Sequence, residues 1–378
     1  MKEKLNRVSI KGFKSIRDSS VDLGNINILI GRNGSGKSNF LYSFSLLQSI
    51  LDKEFPIQLA RNGADSMLYN GRDGTGIVRM DFDFTCGSYG FTLEPTGDGQ
   101  LELREEYRRY NGMLSSTNTS CILTGTHPDE NPDGNDANPI YLLEGRPWRM
   151  YLFHDTSRVR QGNIATDDRI LEDDASNLVA LLNRLRLEYP DRYRDILNTV
   201  RLVEPSISDF VLEPHGPNGE RIDLRWRRDG CGDVFDASQL SDGTIRFICL
   251  TTLMLQPLEL QPATIVIDEP ELGLHPYGTV LFADMVRQVS EHVQVTVSTQ
   301  SVELLNQFDV DDVILTEMTT NGTVLRRLDG SEVESWLDDG YSLGDLWQKN
   351  LLGCGPLWDN GRSDRRYGPK VSIGGFGR

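Results

Sequence analysis

The segment GRNGSGKS, residues Gly31–Ser38, fits the pattern G-x-x-x-x-G-K-[ST]. An apolar run, Ile26–Ile30, precedes it and predicts a buried strand. Apolar residues at helical spacing follow it from Phe40 to Leu51 and predict a helix. Because glycines between a strand and a helix let consecutive backbone N–H groups converge on phosphate groups, this arrangement predicts a nucleotide-binding loop.

The residues of this loop have separate predicted roles. Lys37 is expected to reach the β- and γ-phosphates of a nucleoside triphosphate, and the Ser38 hydroxyl is expected to ligate Mg²⁺. The positive end of the dipole of the following helix adds to the attraction for phosphate. The predicted nucleotide-contacting residues of this segment are Asn33, Gly34, Ser35, Gly36, Lys37, Ser38 and Asn39.

A second segment supplies the acids that such a site needs. Thr264–Glu269, with the sequence TIVIDE, is an apolar run that ends in two carboxylates and predicts a buried strand. In a nucleotide site Asp268 would hold Mg²⁺ and Glu269 would activate a water molecule. Considered without the glycine-rich loop, the same segment is an ordinary strand end.

A third segment, Ser238–Thr244, has the sequence SQLSDGT and predicts a polar turn that opens a helix. Ser241 and backbone amides such as that of Gly243 could grip a phosphate at the helix start. Its alternative interpretation is an ordinary helix cap.

Alternation of strands and helices along the chain predicts an α/β core with a parallel sheet. Residues 1–75 would form the N-terminal part of this core, with the phosphate loop. Residues 76–235 would form an inserted β and helical-hairpin region that includes a flexible loop at 111–139. Residues 236–355 would complete the core, and residues 356–378 would be a flexible glycine-rich tail.

The order of the three segments resembles that of ABC-type ATPases, whose signature motif lies between the phosphate loop and the strand ending in two acids. Within that superfamily the segment DEPELGLHP, Asp268–Pro276, is similar to that of the RecF- and OLD-like branch. The likeness covers roughly residues 5–355. Five shorter pieces agree with it: Gly12–Ile16, Phe153–Ser157, Asp174–Leu178, Ser298–Ser301 and Ser342–Trp347.

This resemblance implies an ABC-type P-loop NTPase core that binds and hydrolyses ATP with Mg²⁺. It also implies a head-to-tail homodimer, in which Ser241 and Gly243 of one copy close over the ATP held by the other. Lys37 and Glu269 would then be catalytic, together with Gln300 at the position where transporters carry a histidine that senses the γ-phosphate. Because glutamine carries no positive charge, hydrolysis is expected to be slow.

The resemblance also bears on partners. OLD nucleases carry a Toprim nuclease domain after the ATPase, and the stretch that follows Gln300 is too short for one. A separate protein effector such as a nuclease or a toxin is therefore expected, with nucleic acid as another candidate, in DNA repair or defence against phage. The net charge of −17 argues against an extensive phosphate-binding surface.

Two other functions fit parts of the sequence. A nucleotide-gated scaffold with negligible turnover is consistent with Gln300. The motor subunit of a membrane transporter is disfavoured, because a long insertion separates Lys37 from Ser241. No apolar stretch approaches the roughly 20 residues of a membrane span, and residues 1–14 lack the apolar core of a signal peptide, so a cytoplasmic protein without membrane contact is expected.

For three further groups of residues, the sequence allows two different roles. His154 and Asp155 could face the nucleotide or cap a strand end. His275 could lie in the dimer interface or cap a helix. An acidic cluster between Asp167 and Asp174 could hold a metal ion, although a solvated charged loop is favoured.

Overall fold

The computed structural model describes residues 4–51, 63–71, 74–85, 87–97, 99–110, 113–121 and 148–352. Two six-stranded sheets organise this part of the chain. The predicted tail 356–378, and residues 122–139 of the predicted loop, lie outside the described residues.

The first sheet is antiparallel throughout. In spatial order its strands are β2 (Ile16–Asp22), β1 (Leu5–Phe13), β4 (Val78–Phe84), β5 (Gly87–Pro95), β6 (Leu101–Tyr110) and β7 (Met113–Cys121). The alternation of buried and exposed residues along β1 and β4 is typical of strands with one face on a core and one on solvent.

The second sheet carries the predicted nucleotide loop. In spatial order its strands are β17 (Gly322–Arg327), β16 (Val313–Thr319), β3 (Ile26–Ile30), β15 (Gln294–Thr299), β14 (Thr264–Asp268) and β8 (Trp148–Tyr151). All neighbours run parallel except β16 and β17, which form an antiparallel hairpin. The predicted α/β core with a parallel-rich sheet is confirmed.

Both faces of this parallel sheet are buried, and its residues alternate between two cores. Ile28, Ile30 and Ile267 belong to one apolar cluster, which includes most of the helices. Leu29 and Val266 belong to the other, which includes helix residues after the glycine-rich loop and the inner face of the antiparallel sheet. Covering on both sides explains why these strands are continuous apolar runs in the sequence.

Nine α-helices lie within the described ranges: α1 (Lys37–Leu51), α2 (Ser157–Arg160), α3 (Leu178–Glu188), α4 (Pro190–Val203), α5 (Asp242–Leu255), α6 (Pro276–Ser290), α7 (Val302–Leu305), α8 (Gly330–Asp338) and α9 (Leu343–Gln348). Pro190 is the first residue of α4, where its missing N–H has no helical partner to lose. None of these helices is long and apolar enough to cross a bilayer.

Small strands complete the inserted region. β9 (Asn163–Ile164) pairs with β11 (Arg221–Ile222), and β10 (Ile207–Val211) pairs with β12 (Arg225–Arg228), which also pairs with β13 (Val234–Asp236). Residues 221–228 thus form two short strands, because the chain passes there from one small sheet to another.

One prediction for the inserted region is wrong, because residues 113–121 form strand β7 rather than part of a flexible loop. In the part of the chain that the structure describes, β7 is the last strand of its sheet and pairs only with β6, a position where a Ser- and Thr-rich sequence is tolerated. The division at residue 75 remains a prediction, but β1 and β4, on opposite sides of it, pair in one sheet. Likewise, β8 of the predicted insertion pairs with β14 of the core sheet.

Candidate nucleotide site

The predicted site residues of the glycine-rich loop, of the two acids and of Gln300 meet at one edge of the parallel sheet. β3 ends in the glycine-rich loop, β14 ends at Asp268, and β15 is followed by Gln300. Parallel strands bring their carboxyl ends to the same edge, which is where α/β sheets bind ligands. Segments that are far apart in the sequence therefore lie together in the folded chain.

The glycine-rich loop has the backbone shape that the motif requires. Gly34 and Gly36 have φ values of +78° and +105°, a region that favours glycine. Lys37 is only 5% exposed, and its Nζ donates to the carbonyl oxygens of Gly31 at 2.7 Å and Arg32 at 3.3 Å. The lysine ammonium therefore lies folded over the loop.

Burial lowers the pKa of Lys37, and the charges of the nearby carboxylates, Glu269 first and then Asp268 and Glu271, oppose that shift. A desolvated ammonium at the mouth of the loop attracts a polyphosphate strongly, because water screens it little.

The hairpin β16–β17 supports the loop from behind. Thr323 of β17 donates its hydroxyl to the Ser35 carbonyl oxygen at 2.9 Å, and a side chain at Gly36 would clash with that threonine. Ser15 also supports the loop, since its hydroxyl lies 2.8 Å from the Thr323 hydroxyl and accepts from the Asn39 amide at 2.7 Å. Asn39 thus supports the loop through Ser15. Its contact with a nucleotide remains a prediction.

The oxygens predicted to hold Mg²⁺ lie together. The Ser38 hydroxyl donates to Asp268 Oδ2 at 3.2 Å, and the hydroxyl of Ser298, at the end of β15, donates to Asp268 Oδ1. Hydroxyl and carboxylate oxygens are the hard ligands that Mg²⁺ prefers, so the side chains present fit that ion.

Glu269 and Gln300 are in direct contact. The Gln300 side-chain amide donates to Glu269 Oε1, and the Glu269 backbone N–H donates to the Ser298 carbonyl oxygen at 3.0 Å. Glu269 has φ = +44°, a region in which a residue other than glycine is strained. Such strain is typical of functional positions, where the surrounding contacts hold the residue in place.

β8 brings His154 to the same edge. Its Nε2 donates to the Asp268 carbonyl oxygen at 3.0 Å, so His154 contacts the backbone of the predicted metal ligand. Arg246 of α5 donates to the carbonyl oxygens of Phe153 and His154 at 2.8 and 3.1 Å. Asp155 instead accepts from the Ser157 N–H at 2.9 Å, which is a local turn contact.

The third predicted segment opens α5. Ser241 is the N-cap, and its Oγ accepts from the Thr244 N–H at 3.0 Å. Asp242 accepts from Thr156 and Arg160 at 2.8 and 2.7 Å. Within the described ranges, no hydrogen bond joins residues 238–244 to residues 31–38. This helix start is therefore attached beside β8, the outermost strand, and not to the glycine-rich loop.

Comparison with solved structures identifies the fold. A head domain of SMC, determined bound to the C-winged helix domain of ScpA, superposes with a TM-score of 0.59 at 14% sequence identity, covering 85% of this chain and 97% of that chain. The chain has an ABC-type P-loop ATPase fold. A second SMC head, with an extended coiled coil and bound to the C-terminal domain of ScpA from Pyrococcus furiosus, gives a TM-score of 0.57 at 14% identity, over 89% of this chain and 99% of that one.

Sequence comparisons find similarity to ATPase domains. Residues 138–306 match a family model described as "AAA domain, putative AbiEii toxin, Type IV TA system", and residues 4–84 match one described as "AAA ATPase domain". The DNA double-strand break repair Rad50 ATPase of Archaeoglobus fulgidus is 24% identical over 202 residues, which are 53% of this chain. The Urease accessory protein 2 of Cryptococcus neoformans is 30% identical over 171 residues, which are 41% of this chain.

The chain spans only 19% of the Rad50 protein and 13% of the Cryptococcus protein. These comparisons support an ATPase of the SMC and Rad50 class, whereas the RecF- and OLD-like branch remains a prediction.

Helix α5, which carries the predicted signature at its start and is called the signature helix below, packs tightly on the loop after Glu269. A Cβ atom at Gly243 would lie closer than 3.0 Å to the Gly273 carbonyl oxygen. Replacing Gly243 by alanine should therefore destabilise the protein by about 1–3 kcal/mol, because two backbone segments must separate.

Chemical denaturation measures the effect of Gly243→Ala. Gly232→Ala is the matched control, since a Cβ there meets no atom within 4 Å. Equal unfolding midpoints for the two variants would show that the signature helix does not depend on this close approach.

Two remaining predictions have structural outcomes. His275 is the N-cap residue of α6, and its Nδ1 accepts from the Tyr277 N–H at 3.2 Å, as the helix-cap interpretation requires. Its role in a dimer interface remains a prediction. The acidic cluster is not fully solvated, because Glu172 and Asp173 both contact Arg149 and Asp174 contacts Arg158. Burial raises the pKa of Asp173 to about 6. No group of three or more His, Cys, Asp or Glu side chains that could hold a metal ion occurs in the described part of the chain.

Sequence reasoning missed the residues that hold the site together. Ser15 and Ser298 lie within the short pieces that resemble the RecF- and OLD-like branch, and their presence there is the only signal that could have found them. Thr323 and Arg246 give no local signal, because their roles depend on the pairing of β16 with β17 and on the packing of α5.

Proposed function

We propose that this protein binds Mg-ATP, hydrolyses it slowly, and uses it to close and open a homodimer. The observation that supports this proposal is that the glycine-rich loop, the two acids and Gln300 lie together at one edge of the sheet. Ser38 contacts Asp268, Glu269 contacts Gln300, and Lys37 lies folded over the glycine-rich loop.

Each side chain has a separate chemical task in this proposal. Lys37 and the loop amides bind the phosphates, and Ser38 and Asp268 hold Mg²⁺. When bound, Mg²⁺ supplies positive charge that offsets the charge developing on the phosphoryl oxygens. Glu269 accepts a proton from the attacking water, and Gln300, a neutral donor, orients that carboxylate. Slow turnover is expected because Gln300 adds no positive charge.

The position of the signature helix supports a composite site. Ser241 is exposed and caps α5, whose next residue, Asp242, contacts Thr156 just beyond β8. β8 is three strands away from β3 in the sheet, a separation of about 14 Å at ordinary strand spacing. Because the predicted signature is attached beside β8 and the glycine-rich loop follows β3, we expect a second chain to supply the signature that closes over ATP.

A mixing experiment with two inactive variants tests this dimer. Lys37→Ala damages the loop, whereas Ser241→Asp places a negative charge at the signature while aspartate still caps the helix. Each variant alone should show little ATP hydrolysis. An equal mixture should regain about a quarter of the wild-type rate, because half of the dimers are then mixed and each has one intact site.

Ser241→Asn is the control for the mixing experiment, since it keeps the cap without adding charge, and it should retain most activity. A mixture that stays inactive would contradict the shared site. Activity in Ser241→Asp alone would show that the signature does not contact the nucleotide.

A protein effector is the partner that we propose for this switch. The net charge of −17 leaves little positive surface for nucleic acid, and the two SMC heads of similar fold were solved with a bound protein, ScpA. An effector such as a nuclease or a toxin, acting in defence or DNA repair, fits the family description that includes a toxin system.

A nucleotide-gated scaffold is the second candidate function. The hydrogen bond from Gln300 occupies Glu269 Oε1, one of the two oxygens that could accept a proton from water. If that contact persists when ATP binds, the dimer would close without measurable hydrolysis.

A further inference from the structure

Glu271 lies two residues beyond the proposed catalytic base and has no role in the mechanism above. One of its oxygens, Oε1, accepts from the Thr299 hydroxyl at 2.6 Å and from the Gln300 backbone N–H at 3.1 Å. Both donors belong to the turn that carries the Gln300 side chain. This single carboxylate oxygen therefore joins the loop after β14 to the end of β15.

The turn is tied further through Thr299. The Thr299 hydroxyl, which donates to Glu271, also accepts from the Ser301 N–H at 2.9 Å. Ser301 in turn caps α7 by accepting from the Leu304 N–H. These contacts hold the backbone on both sides of Gln300, whose side-chain amide donates to Glu269.

The second oxygen of Glu271 has a different environment. Oε2 is buried and has no hydrogen-bond partner within the described part of the chain. Burial raises the pKa of the Glu271 carboxyl, and the contacts with Thr299 and Gln300 oppose that rise. A buried polar atom without a hydrogen-bond partner destabilises the folded protein. A carboxyl group that carries such an atom is therefore a candidate for a functional role.

We infer that Glu271 is a positioning residue for hydrolysis: it holds the Thr299–Gln300 turn so that the Gln300 amide meets Glu269. This inference rests on the proposed function, because it assigns a task within that mechanism. Glu271 makes no hydrogen bond to the glycine-rich loop or to Asp268 in the described residues, and its charge acts on Lys37 less than those of Glu269 and Asp268. It should therefore affect turnover far more than ATP binding.

Steady-state hydrolysis and equilibrium ATP binding separate these effects. Glu271→Ala removes the acceptor of both bonds, so kcat should fall roughly 10- to 100-fold, while the Kd of ATP stays within about twofold. Glu271→Gln keeps an oxygen that can accept both bonds and should restore most of kcat. Glu303→Ala is the matched control, because it removes an exposed carboxylate two residues after Ser301 and should leave kcat unchanged.

The inference is overturned if Glu271→Ala keeps wild-type kcat, if Glu271→Gln loses as much as Glu271→Ala, or if ATP affinity falls in parallel with kcat. Should Glu271→Ala fail to fold, Thr299→Val decides the matter by removing one of the two donors, with an expected loss in kcat of roughly 3- to 10-fold. Glu269→Gln is measured alongside. Wild-type turnover in Glu269→Gln would remove the proposed function itself, whereas loss there with an active Glu271→Ala removes only this inference.

Discussion

Glu269→Gln should lower the rate of ATP hydrolysis by about 100- to 1000-fold, because an amide cannot accept the proton of the attacking water. ATP binding should remain, since Lys37 and the loop are untouched. With ATP bound and not consumed, the closed dimer should accumulate. Steady-state phosphate release measures the first effect, and the mass in solution with and without ATP measures the second.

One control variant makes the Glu269→Gln result specific. Glu303→Gln changes an exposed glutamate at the start of α7 in the same way and should hydrolyse ATP at the wild-type rate. Equal rates for Glu269→Gln and the wild type would remove the enzyme assignment, and the nucleotide-gated scaffold would then be the better account. A monomer in both conditions would remove the ATP-closed dimer.

Lys37→Ala should weaken ATP binding by roughly 100-fold, which corresponds to about 3 kcal/mol for a desolvated, charge-assisted contact with phosphate. The fold should survive, because burial already disfavours this ammonium, as its lowered pKa indicates. Lys37→Ala loses the hydrogen bonds to Gly31 and Arg32, but it also removes the free-energy cost of burying a charge, so the two effects on stability oppose each other.

Isothermal titration with ATP measures the affinity of Lys37→Ala, and circular dichroism checks the fold. Lys11→Ala, at an exposed lysine of β1, is the matched control and should bind ATP as the wild type does. Unchanged affinity in Lys37→Ala would show that the glycine-rich loop is not the phosphate site.

Local sequence was sufficient to predict the strands and helices that form the candidate nucleotide site. The strand Ile26–Ile30 and the helix that begins at Asp242 have the bounds that the sequence predicts, because buried parallel strands are continuous apolar runs and helix caps have characteristic residues. The shared sheet edge follows from the parallel order of these strands.

Contacts between distant segments could not be predicted in the same way. The pairing of β1 with β4 joins residues on either side of the predicted boundary at residue 75, and only register in the folded sheet shows it. Similarly, the contacts of Glu271 with Thr299 and Gln300 join two strand ends about thirty residues apart in sequence, and neither segment alone specifies that geometry. The strand Met113–Cys121 was missed because its polar composition is typical of loops.

The acidic segment next to β8 has a consequence for solubility. Among the described residues β8 pairs only with β14, and an open strand edge offers unpaired backbone groups to any other extended chain. Here the Leu152 N–H, just past β8, donates to the Asp173 carbonyl oxygen, while Arg149 contacts the Glu172 and Asp173 side chains. The chain thus covers its own edge with charged residues, which protects the sheet from intermolecular strand addition and aggregation.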